Sequence, residues 1–194
     1  MLTQDSRLFL RRWLKSPKHV GAIAPSSRRL ADAMARLVPA NASGWVIELG
    51  GGTGAITAAL LRAGVRPARL AVIERDPLLH RLLSERFPSL QVILGDAARL
   101  AEAVKPLGIR RASAIVSGLP LLTFPRALQD EIVRGAFGLL APGAPFIQFT
   151  YGPLSPVGRK RLNLEGVLAR RIIGNLPPAS IWVYRRAGES SQAM

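Results

Sequence analysis

Short apolar runs alternate with stretches of helical spacing along most of the chain. Trp45 to Leu49, Arg69 to Glu74, residues 90–94, Ala112 to Ser117 and Phe146 to Tyr151 are nearly continuous hydrophobic runs. Such runs predict strands buried on both faces. Residues 55–63 and 96–104 carry helical spacing between them. Asp76-Pro77 is a cap residue followed by proline at the first helical position, and opens a helix to about Phe87. Pro125 opens a long helix to about Leu140. Upstream, Ser26 and Ser27 cap a helix through Leu37 that Pro39 ends. Gly166 to Gly174 and Ser180 to Arg185 read as a closing pair of strands. The alternation predicts an α/β fold of Rossmann-like type: a mostly parallel, seven-stranded sheet with helices on both faces. Ligands of such sheets bind at the carboxyl ends of the strands.

The first residues follow another pattern. Over residues 3–15, Leu2, Phe9, Leu10, Trp13 and Leu14 fall on one helical arc, and Arg7, Arg11, Arg12 and Lys15 on the remainder. Such a face can pack on the chain's own core or lie flat in a membrane interface, and the pattern alone admits both. Trp13 beside Arg11, Arg12 and Lys15 favours an anionic membrane surface. The expected organisation is a docking segment over 1–25, a catalytic domain over 26–187 and a fraying tail over 188–194.

Composition narrows the classes. The 194 residues fit one domain, and the 48% hydrophobic content suffices for a core. Absence of cysteine excludes disulfides and thiolate metal sites. Only His19 and His80 are histidines, so no metal centre is expected. The apolar N-terminal stretch is interrupted by arginines, unlike a signal peptide, and four prolines break the uncharged window from Gly135 to Gly158. A net charge of +15 implies an anionic partner, nucleic acid or membrane, unless it reflects general arginine usage.

The chemistry concentrates in Glu48-Leu49-Gly50-Gly51-Gly52-Thr53-Gly54, directly after one strand and before a helix. Glycines there permit a tight turn and close approach of a ligand to the backbone. Glu74 ends the next strand, where a carboxylate accepts hydrogen bonds from ribose hydroxyls. Gly50, Gly52 and Ala55 also match a dinucleotide pattern. Glu48 discriminates: it repels a pyrophosphate and suits the ammonium and sulfonium of S-adenosylmethionine. Asp96, in Gly95-Asp96-Ala97, is placed to bond an adenine amino group or to cap a helix.

With these residues in view, the chain resembles class I S-adenosylmethionine-dependent methyltransferases. More narrowly it resembles bacterial phospholipid N-methyltransferases, which methylate phosphatidylethanolamine toward phosphatidylcholine. Three segments carry the likeness: Ser16 to Ser27, Glu48 to Gly54, and Val116-Ser117-Gly118-Leu119-Pro120-Leu121-Leu122-Thr123-Phe124-Pro125. The resemblance implies cofactor contacts from Glu48, Gly50, Gly51, Gly52, Gly54, Glu74, Arg75, Asp96 and Ala97, with Ser117 and Leu119 beside the methyl donor. It implies a phospholipid substrate and a cytoplasmic enzyme held peripherally at the inner face of the cell membrane. Tyr151 and His19 are the candidates to orient the amine or receive its proton. The rival is the ribosomal RNA adenine dimethylases, which carry Asn-Leu-Pro-Tyr where this chain has Ser117-Gly118-Leu119-Pro120 followed by Leu121. Without that asparagine and aromatic, the acceptor and the stacking platform for a flipped base are missing, so nucleic acid is not the expected partner.

Overall fold

The computed structural model describes residues 25–40, 44–173 and 178–188. The amphipathic segment, His19 and most of the C-terminal tail lie outside the described residues. Helix α1 spans Pro25–Ala35. Strand β1 (Trp45–Leu49), helix α2 (Ala55–Arg62), strand β2 (Leu70–Glu74), helix α3 (Pro77–Arg86) and strand β3 (Gln91–Leu94) follow. Then come α4 (Leu100–Val104), β4 (Ala112–Ser117), α5 (Arg126–Leu139), β5 (Phe146–Tyr151), α6 (Arg159–Leu162), β6 (Leu164–Ile172) and β7 (Ala179–Arg186).

The seven strands form one sheet in the order β3-β2-β1-β4-β5-β7-β6. β1 to β5 are parallel, and β7 inserts antiparallel between β5 and β6. The closing strands are therefore a hairpin-like pair added to a parallel sheet. Strand order reverses between β1 and β4, which places the crevice at the carboxyl ends of those two strands.

Both faces are covered, which explains the continuous apolar runs. Ile47, Ile73, Ile115, Phe146 and Tyr184 pack with α4 and α5 on one face. Val46, Val72, Val116, Ile147 and Ile181 pack with α1 to α3 on the other. Each fully buried side chain of this kind contributes about 1.5–3 kcal/mol. The Asp76 cap forms as its sequence predicts: one carboxylate oxygen accepts from the amides of Leu78 (2.8 Å) and Leu79 (3.1 Å). The segment expected as a helix over 96–104 is a single 3₁₀ turn followed by the short α4. His80 Nε2 lies 3.3 Å from the Val92 carbonyl and ties α3 to β3.

Ala35, Val38 and Pro39 adjoin Gly44 and Val46 at the amino end of β1.

Candidate active site

Three turns at the carboxyl edge build the site. The first joins β1 to α2. Gly50, Gly52 and Gly54 all have positive φ (74°, 55° and 83°). A side chain at Gly50 would run into Leu119, one at Gly54 into the Phe87 ring, whereas the space beside Gly52 is open for 4 Å. Gly51 packs its bare Cα against Val72 and Leu83. The turn is thus closed on its protein side and open where a ligand would lie.

Glu74 ties this turn to the next. One of its oxygens accepts from the Gly52 amide (2.8 Å), the other from the amides of Arg75 and Asp76 (2.8 Å each). The carboxylate retains acceptor capacity for a hydroxyl. Arg75 reaches from the β2 turn to within 3.6 Å of Asp96. Asp96 also caps the turn after β3, accepting from the Ala98 amide at 3.0 Å, and Ala97 is buried beneath it. Asp96 thus caps this turn through one carboxylate oxygen.

Glu48 differs from its sequence portrait. It is fully buried, in the layer between β1 and α2. Thr57 donates its hydroxyl to one carboxyl oxygen at 2.7 Å. The other oxygen has no hydrogen-bond partner among the described residues. Burial, partly offset by Thr57, pushes its pKa up to about 8. The group is therefore largely a neutral acid at neutral pH, and a nearby cation is needed to draw off its proton. An orphaned acid oxygen under an open glycine turn fits a cationic nucleoside, and a pyrophosphate fits it poorly.

The third turn follows β4. Ser117 and Gln148 are fully buried neighbours in the sheet. Ser117 Oγ accepts from the Leu119 amide (3.3 Å), and Gln148 Nε2 donates to the Leu119 carbonyl (2.9 Å) and to the Phe149 carbonyl (2.6 Å). Leu119 is thereby held at both ends of its backbone while its side chain leans on Gly50. Sequence reading missed Gln148 and Thr57. The signal for Gln148 was a lone amide inside the apolar run Phe146 to Phe149. Substituting Gln148 by Leu removes the clamp on the loop and leaves the cofactor turn intact. The expected result is a kcat lowered about tenfold with cofactor affinity within about twofold of the parent, read by steady-state kinetics and calorimetry.

Tyr151 ends β5 at the same edge, 43% exposed, with its ring edge-on to Phe149 at 5.4 Å. No group of acidic or histidine side chains among the described residues could hold a metal ion.

A sheet of this order, with an antiparallel seventh strand, a glycine turn after β1 and an acid after β2, defines the class I S-adenosylmethionine-dependent methyltransferases. The chain is an enzyme of that class, an N-methyltransferase with S-adenosylmethionine as cofactor. It belongs to the family of the ornithine lipid N-methyltransferase of Singulisphaera acidiphila: the two are 35% identical over 190 residues, covering 96% of this chain and 99% of that one. The ribosomal RNA small subunit methyltransferase A of an Anaeromyxobacter species is 35% identical over 189 residues, 87% of this chain but 63% of that protein. Among solved structures, the N-methyltransferase NodS of Bradyrhizobium japonicum superposes with a TM-score of 0.68 at 17% identity, over 85% of this chain and 98% of that one. No family model matches the chain.

Proposed function

We propose that the enzyme methylates the amine of a membrane lipid, converting phosphatidylethanolamine and its mono- and dimethyl forms toward phosphatidylcholine at the inner face of the cell membrane. The observation that carries this reading is the end-to-end likeness to a lipid N-methyltransferase. The stretch Ser117 to Leu121, which lacks the asparagine and aromatic of the RNA enzymes, supports it. Ornithine lipid is the alternative acceptor that the same relative brings.

When bound, S-adenosylmethionine supplies an electrophilic methyl group on a sulfonium. The chain's residues do the rest. The open side of Gly52 and the carboxylates of Glu74 and Asp96 would hold the nucleoside, with Ala97 and Arg75 shaping its walls. Glu48 would favour the cationic end once ionised. The Ser117 to Pro120 loop, held by Gln148, would set the wall on which the acceptor amine rests.

The amine must be neutral to attack. For a pKa near 10.4, deprotonation at neutral pH costs about 4–5 kcal/mol. Desolvation beside a cationic cofactor lowers that pKa and removes much of the cost. Tyr151, exposed at the end of β5, would hold the amine or its methylated cation against its ring. His19, outside the described residues, is the further candidate to take the proton.

The test is incubation of the enzyme with radiolabelled cofactor and vesicles or detergent micelles of phosphatidylethanolamine or ornithine lipid. Mono-, di- and trimethylated lipid should appear in sequence. A second reading, methylation of ribosomal RNA adenine, is favoured by the Anaeromyxobacter likeness and the charge of +15. Label in ribosomal RNA and none in lipid would replace the first reading with the second.

A further inference from the structure

The described residues include eight large apolar side chains that are exposed. Six of them stand at one edge of the molecule. Leu94 ends β3 and Tyr151 ends β5; Leu78 begins α3 directly after β2; Leu122 lies in the loop after β4; Leu154 follows in the loop leaving β5; Ile173 follows β6. Because β6 runs parallel to β5 through the intervening β7, all of these mark the carboxyl edge. Only Leu82 and Val167 lie elsewhere. Single exposed apolar residues are ordinary, but a ring of them around one crevice is not. Leu78, Leu154 and Ile173 are 79%, 72% and 81% exposed, so they project into solvent.

We propose that this collar is a membrane-docking surface, and that the carboxyl edge lies face-down on an anionic bilayer with the active-site mouth pointing at the lipid headgroups. The inference rests on the lipid-amine reading and extends it by fixing the orientation of the whole fold. Two observations select the bilayer as occupant. The mouth opens at this edge, and a headgroup layer is only about 5–8 Å deep, so a lipid amine reaches the site only if the edge touches the interface. Arginines accompany the apolar residues: Arg170 and Arg171 are exposed just before Ile173, and Arg126 is exposed just after the Leu122 loop. Neither Arg170 nor Arg171 pairs with a carboxylate among the described residues. Each such cation near an anionic leaflet favours binding. No helix among the described residues is long and apolar enough to cross a membrane, so contact here is by partial insertion.

The test is flotation with equimolar phosphatidylethanolamine and phosphatidylglycerol vesicles, comparing the full chain with a Leu154→Ser/Ile173→Ser double variant. Partitioning should fall about tenfold or more. Cofactor affinity by calorimetry and the methylation rate on micelle-dispersed lipid should hold. An Arg170→Gln/Arg171→Gln variant should lose several-fold in low salt and little in high salt. A double variant that floats like the parent overturns the proposal. So does a change of oligomeric state by light scattering without loss of flotation, which would make the collar a contact between copies. Absence of methylated lipid from the parent enzyme in micelles defeats the lipid reading itself, whatever the flotation shows.

Discussion

A Glu48→Gln enzyme should melt higher than the parent at and above about pH 8 in the absence of cofactor, yet bind S-adenosylmethionine about a hundredfold more weakly. Both effects have one origin. Burial raises the Glu48 pKa from its ordinary 4.5 to about 8, so the folded chain keeps a proton that the unfolded chain has lost. That retained proton favours folding most below pH 4.5, and its contribution declines progressively until it is gone above about pH 8. Glutamine cannot ionise, so the variant escapes this decline. It also presents no anion to the cofactor. In the parent, cofactor affinity should rise with pH, nearly tenfold per unit below about pH 8, and then level off. Calorimetry in buffers of different ionisation enthalpy should detect close to one proton released per cofactor bound at neutral pH. In the variant both the slope and the proton release should vanish. A parent affinity that ignores pH would falsify the role given to Glu48.

Gly118→Ala should be nearly as damaging from a single methyl group. A Cβ there would sit 2.8 Å from the Gly50 carbonyl oxygen and 3.3 Å from Ile56 Cδ1. The carbonyl belongs to the backbone of the cofactor turn, so no side-chain rotation relieves the contact. Either the β4 loop or the glycine turn must move. Overpacking of this kind costs about 1–3 kcal/mol, and displacement of either turn separates Leu119 from Gly50. Cofactor affinity should drop at least about tenfold, with a lower melting temperature. Gly138→Ala is the matched control. It lies in α5 with nothing within 4 Å of the added carbon, so it should stabilise the helix by about 0.5–1 kcal/mol and leave binding unchanged.

Much of this arrangement was legible beforehand because parallel strands buried on both faces leave unbroken hydrophobic runs. β1, β4 and β5 match those runs to the residue. The last two strands begin earlier than their apolar residues indicate, because β6 is an edge strand with polar alternation and an irregular register at Leu168 to Arg170. The glycine turn and the acids were visible as local spacing. Their partners were not: Glu48 meets Thr57, and Gln148 meets Leu119 twenty-nine positions away, only once the chain is folded. The protonation state of Glu48 was equally hidden, since it depends on depth of burial and not on neighbours in sequence. His19 and the amphipathic segment lie outside the described residues, so their placement stays as the sequence reading left it.

The strand order has a consequence for how such enzymes diverge. Everything proposed to grip the methyl donor comes from β1 to β4, whereas Tyr151, Leu154 and the arginine-bearing β6 belong to the other flank. Gln148 and Leu119 are the hinge between the two territories. The acceptor side is therefore divided: the Ser117 to Pro120 wall stays with the cofactor flank, so chimaeras cut within the stretch before β5 should keep cofactor affinity and exchange only what Tyr151 and β6 add to substrate choice.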